Sequence, residues 1–381
     1  MAIGDIGSAS DPVIFDAVQG IQTSFAYRGD NIGVVAFKGP DNDGKVKAFA
    51  VSDAGVLGEV FAGSLVIPAG SFTNPKLIHV AGDIFAVVYH DTTGLHGWLK
   101  TFSVSDAGAI SAVLGSLDIN DDQGMDPEIC HVSGDVYALT FSDRLNDPLV
   151  TTVSISGAGA VADVDREGLV LGTATAPDPS ICHVAGEIFA VAYNGDSNEH
   201  RITTFGISGA GVLGAAIQSS TIFDAAGGTQ FSVISDGSMV AIAYPKDIDS
   251  HGWLKTVTVD GAGNVSGVIG LFEFDDALCV QPRIVAIGES VYAIAYQGPG
   301  GGGWLKTIGI TSAGIIDAGV IDFLEFEPAV GGTPSIGHIA GNVYAITFTG
   351  EGPAAAPDGR VRTVGIVSPG ARLNNLMMGL L

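Results

Sequence analysis

Seven nearly unbroken apolar runs punctuate the chain: Ile32 to Phe37, Ile84 to Tyr89, Val136 to Phe141, Ile188 to Tyr193, Met239 to Tyr244, Val291 to Tyr296 and Val343 to Phe348. Their closing aromatics follow one another every 51 or 52 residues. A strand exposed on one face alternates apolar and polar positions, whereas one covered on both faces stays apolar throughout. These runs therefore predict strands sandwiched between two layers. Their third residue is Ala in six units (Ala86, Ala138, Ala190, Ala241, Ala293 and Ala345), as expected where neighbouring layers crowd together.

The second unit shows the remaining elements. Pro75 to Val80 predicts a first strand, turned at Ala81-Gly82 into the run Ile84 to Tyr89. A polar loop from His90 to Gly97 leads to a third strand, Trp98 to Val104. Ser105-Asp106-Ala107-Gly108 then turns the chain into an outer strand from Ile110 onward. Proline opens the first strand at Pro75, Pro127, Pro179, Pro282 and Pro334, where its missing donor is tolerated. The outer strands read as longer and more polar, as sheet edges should. The short, nearly constant third-to-fourth turns predict one flat face. Four hairpin-linked strands repeated seven times, with no helical period inside, predict an all-β, seven-bladed β-propeller of four-stranded antiparallel blades.

The last unit lacks its own fourth strand. Val13-Ile14-Phe15-Asp16-Ala17 resembles Thr221-Ile222-Phe223-Asp224-Ala225, so residues 12–17 are expected to complete blade seven and remove two open edges. The expected organisation is an N-terminal extension (1–11), the propeller (12–370) and an apolar tail (371–381). In the tail, Leu373, Leu376, Met377, Leu380 and Leu381 fall on one helical stripe, a surface for docking on the propeller or on a partner subunit.

The net charge of −25 argues against a nucleic-acid partner. No run is long and apolar enough to span a membrane, and no signal peptide is visible at residues 1–10. Cys130, Cys182 and Cys279 are too few for a disulfide framework; Cys130 and Cys182, at equivalent positions in neighbouring repeats, read as small core residues.

Several recurrent residues invite chemistry. His79, His131, His183 and His338 share one position in different blades, so they cannot converge on a metal; each is expected to bond its own blade turn. Trp98, Trp253 and Trp304 recur in Gly-Trp-Leu-Lys-Thr, with His96 and His251 beside two of them. They read as a hydrophobic lid or as stacking platforms for sugar rings. Lys47, Lys100, Lys255, Lys306 and Arg362 suggest solvated outer-strand cations paired with carboxylates. Asp41 and Asp43, and Asp121 and Asp122, are weak calcium candidates in acidic loops; neither pair matches a twelve-residue calcium loop. No cofactor is expected. Glu128 and Arg283 follow strand-opening prolines, with Lys76, Ser180, Phe231 and Ser335 read as their equivalents, which makes the position look tolerant. Nucleophile elbow, zinc-protease and phosphate-loop motifs are missing.

The unit His-x-x-Gly-Asp-Ile-Phe-Ala…Gly-Trp-Leu-Lys-Thr looks like repeats of uncharacterised microbial and viral propellers, and residues 12–368 resemble seven-bladed β-propeller repeat proteins. That resemblance implies architecture and no particular activity. The reading that follows is a non-catalytic scaffold presenting an acidic loop face to a protein or glycan partner, as in a virion or cell-surface component, open to assembly into homo-oligomers or larger complexes. The alternative is a polysaccharide-acting lyase or hydrolase with its site on the same loops.

Overall fold

A computed structural model describes residues 2–67, 70–120, 123–174, 178–352 and 357–368. They form seven four-stranded antiparallel sheets, and the chain is a seven-bladed β-propeller. Blade 1 comprises Ile21–Gly29, Ile32–Lys38, Gly44–Val51 and Leu57–Ile67; blades 2 to 6 repeat this order. Blade 7 combines Gly332–Ala340, Val343–Glu351 and Pro357–Gly365 with the N-terminal strand Val13–Asp16, which closes the ring. The first strands touch from blade to blade all the way round and line the axis.

The apolar core is sevenfold as well, each cluster joining two neighbouring blades. The second strands fill it, and the six recurring alanines are buried. Adding methylenes there would overpack the narrow end, at a cost of about 1–3 kcal/mol. Outer strands vary more than the sequence suggests. Those of blades 1, 3 and 6 run 10 to 12 residues, but blade 2 keeps only Gly115–Asn120 after a lone bridge from Val104 to Ile110. An edge ladder is held from one side only, so it breaks wherever side chains bond elsewhere.

Two sets of side chains clasp the blades together. On the flat face a third-strand threonine donates to a turn glycine carbonyl of the next blade. Thr101 reaches Gly159 at 2.5 Å, Thr152 Gly211 at 2.6 Å, Thr204 Gly263 at 2.5 Å and Thr256 Gly314 at 2.5 Å. Thr363 reaches Gly55 at 2.6 Å, and Thr307 reaches Gly4 at 2.7 Å. Gly4 thus stands where the other blades have a turn glycine, and with the same left-handed φ of about +80 to +90°. Ile6 bridges Ile366, and Ile3, Ile6 and Ala9 join the core between blades 6 and 7. Residues 2–10 therefore continue the seventh blade rather than extending from it.

The second set is the row of third-strand cations. Lys47, Lys255 and Lys306 donate to the carbonyls of Phe15, Phe223 and Phe274 in the preceding blade, at 2.5–2.8 Å. Lys255 also meets Asp224 at 2.7 Å, and Lys306 meets Asp275 at 2.9 Å. They are half-buried clasps between blades, not solvated pairs. Lys100 bonds Ser116 in its own blade instead, at 2.9 Å. The four recurrent histidines bond their own turns, His79 to Gly82 O at 2.8 Å and likewise at the other three.

Candidate functional site

At the start of each first strand, inside it in five blades and two residues before it in blades 4 and 5, stands a polar residue in the left-handed region: Gln22, Asn74, Asp126, Asp178, Gln230, Gln281 and Thr333, with φ between 37° and 63°. Such a backbone costs about 1 kcal/mol or more for a residue with a Cβ. Proline follows five of them, and register shifts mark β-bulges there in blades 1, 2, 3, 6 and 7. Bulges re-aim side chains. Here they build a polar ring at the axial mouth. Asn74 N donates to Gln22 Oε1 at 3.2 Å, Gln230 N to Asp178 Oδ2 at 2.5 Å and Gln281 N to Gln230 Oε1 at 2.8 Å. Asn74 Nδ2 donates to Asp126.

Two residues further along lies a second ring: Ser24, Lys76, Glu128, Ser180, Ser232, Arg283 and Ser335. Ser232, not Phe231, occupies this position in blade 5; Phe231 fills the proline slot. The position is therefore not tolerant of anything. Four serine hydroxyls each accept a backbone N–H from the neighbouring blade, at 2.9–3.3 Å. Blades 2, 3 and 6 replace them with charges. Lys76 and Glu128 pair directly. The Arg283 guanidinium has only the carbonyl of Pro282 at 3.5 Å and no carboxylate within ion-pairing distance among the described residues.

The first ring and the three charges of the second, Lys76, Glu128 and Arg283, line a mixed polar and apolar cavity of about 270 Å³. A second cavity of about 210 Å³ lies beyond the charged layer and shares Thr23, Lys76, Glu128 and Arg283 with the first. Burial pushes the Asp178 carboxyl up to about 6, helped by the nearby charge of Asp126. Asp126 is raised by burial too. Burial and the charge of Arg283 lower the Lys76 ammonium. Perturbed acids and bases gathered in one cavity make it a functional-site candidate.

The residues singled out by sequence lie elsewhere. Trp98, Trp253 and Trp304 are half-buried at the starts of third strands in blades 2, 5 and 6, far out on the blades and not brought together. His96 bonds Asp118 at 2.6 Å. His251 bonds Glu273, and Asp249 lies 4.0 Å from the same ring nitrogen. Among the described residues Asp249, His251 and Glu273 are the one grouping of three metal-type donors, all within 4.8 Å of one another. Asp41 and Asp43 are not in it. Asp121 and Asp122, and the tail with Leu373, Leu376, Met377, Leu380 and Leu381, lie outside the described residues. Among those described, no helix is long and apolar enough to cross a membrane.

No family model matches the chain, and no curated protein matches it. Solved propellers are similar in fold. The periplasmic gluconolactonase PpgL of Pseudomonas aeruginosa superposes with a TM-score of 0.58 at 14% identity, over 81% of this chain and 86% of that one. A Dyadobacter fermentans protein of unknown function gives 0.54 at 10%, over 94% and 98%. A PL25 ulvan lyase bound to a GlcA–Rha3S chain gives 0.52 at 11%, over 96% and 95%. At these identities the likeness is one of fold.

Proposed function

We propose that this propeller is a binding protein for a hydroxyl-rich monoanion, a sugar acid or a terminal uronate, held at the axial mouth. One observation carries the reading: Arg283 faces a cavity beside Lys76 without a carboxylate partner, under a ring of amides and carboxylates. A guanidinium fork suits a carboxylate, and the ring suits hydroxyls. The body charge of −25 disfavours a polyanion, which fits a ligand with a single charge. One fold relative is named a gluconolactonase and another holds a glucuronate-containing chain; this agrees with the reading but does not carry it.

Calorimetry with gluconate, glucuronate and a short oligoglucuronide tests it. Binding should weaken at least roughly tenfold in Arg283→Ala, the scale of one charged hydrogen-bonded contact. Equal affinity in native protein and variant, or no binding of any of the three, would reject it. A second reading, cleavage of an acidic polysaccharide, is favoured by Asp178 titrating near neutrality beside Lys76, an acid and a base in one cavity. New reducing or unsaturated ends, lost in Asp178→Asn and Lys76→Met, would decide for it.

A further inference from the structure

The three tryptophans stand opposite three acids. Across the strand from Trp98 is Asp118, from Trp253 Glu273, and from Trp304 Glu325. In the four blades without Trp the pairs are Lys45 with Val66, Leu149 with Val170, Arg201 with Ile222 and Arg360 with Ile14. An acid thus appears at this place wherever an indole does, and an aliphatic side chain everywhere else.

Two structural explanations for the pairing fail. The acid does not satisfy the indole N–H, since Nε1 of Trp253 and of Trp304 has no hydrogen-bond partner. Nor does it pair with the lysine over the ring. Lys100 Nζ lies 4.6 Å from the Trp98 ring centroid and bonds Ser116; Lys246 Nζ lies 5.0 Å from that of Trp253. Over Trp304 lies Phe323, itself exposed, with centroids 6.4 Å apart at 29°. Each indole packs inward on the core it shares with the preceding blade and has one face reached by a displaceable side chain. In blades 2 and 5 a histidine, His96 or His251, is held by the same acid.

We propose that blades 2, 5 and 6 carry three equivalent rim subsites for neutral pyranose rings. The apolar face of the sugar stacks on the indole, displacing the lysine or phenylalanine. The carboxylate accepts a sugar hydroxyl, in blades 2 and 5 in exchange for the histidine it holds, and its charge turns acidic sugars away. Each subsite is weak alone. A polysaccharide or glycan-coated surface that engages several gains avidity without new contacts. These subsites are separate from the axial mouth and do not depend on its reading.

All three tryptophans of the chain lie in these subsites, so intrinsic tryptophan emission reports on them alone. The probes are methyl glycosides of glucose, galactose, mannose, xylose, fucose and N-acetylglucosamine, followed by emission and saturation-transfer NMR. At least one should give a saturable change, with three sites by calorimetry. Asp118→Asn, Glu273→Gln and Glu325→Gln should each remove one site while preserving the melting temperature. The triple variant should lose at least roughly tenfold in affinity for the matching polysaccharide. Arg283→Ala should leave rim binding unchanged. Silence across the panel, or undiminished binding in the triple carboxylate variant, overturns the proposal.

Discussion

His200 is the residue that fits its surroundings least. It is fully buried, and its ring packs on Phe223, Phe231 and Tyr244, with no side-chain partner on either nitrogen. Burial holds its pKa down to about 4. An unfolded histidine takes its proton near 6.5, so acid favours the unfolded chain. The stability contributed by neutral His200 is complete above 6.5 and drains away as pH falls toward 4. Between pH 7 and pH 5 the loss is about 2 kcal/mol. His200→Phe should flatten that part of the pH profile in urea melts; an unchanged slope would refute the assignment. Asp178 has the opposite sign. A carboxyl raised to about 6 in the fold and ordinary in the unfolded chain penalises folding above 6, and the penalty vanishes below about 4. Asp178→Asn should therefore raise the urea midpoint at pH 7 and leave it unchanged near pH 4. A charge that costs stability where serine or glutamine would serve is expected of a functional site.

Among elements, the third-strand threonine shows what a clasp is worth. Thr204→Val keeps the shape but leaves the Gly263 carbonyl unsatisfied in a buried junction, which should cost about 1–3 kcal/mol by chemical denaturation. Blade 1 lacks the clasp, because Ala48 stands where the others have Thr and Phe61 packs against Gly108 instead. Ala48→Thr should accordingly bring no gain. The repeat made the second strands, the turns and the prolines legible in sequence, because burial on both faces writes an apolar run. It hid the axial site. Lys76, Glu128 and Arg283 lie in three blades about 50 and 150 residues apart, and each looks like a surface charge until the first strands converge. A one-residue slip that sets Phe231 in the place of Ser232, with Ser24 left out, hides two of the four serines and so makes three deliberate exceptions look like noise. The clasping cations were equally opaque, since their partners belong to the preceding blade.

At the scale of the whole ring, closure depends on how residues 2–16 meet residues 357–367. Val367 N donates to Asp5 O at 3.0 Å and Gly4 N to Val367 O at 2.9 Å. The intact turn of blade 2 has the same two bonds, Ser105 N to Ala109 O at 2.9 Å and Gly108 N to Ser105 O at 2.8 Å. Val367 thus occupies the Ser105 place, and Ala2-Ile3-Gly4 the places of Asp106-Ala107-Gly108. Joining Val367 directly to Ala2 should rebuild an ordinary turn with no linker. New ends can then be opened between Gly157 and Ala158, an exposed turn of the same kind in blade 3. The permuted chain should give the same far-ultraviolet spectrum as a chain ended at Val367, and bind axial and rim probes alike. It should also unfold more slowly, because the N-terminal strand can no longer peel away from blade 7 on its own. Faster unfolding would mean that closure is not where the native ring opens. Loss of the β spectrum would mean that residues 2–10 hold the seventh blade by something other than the turn they imitate.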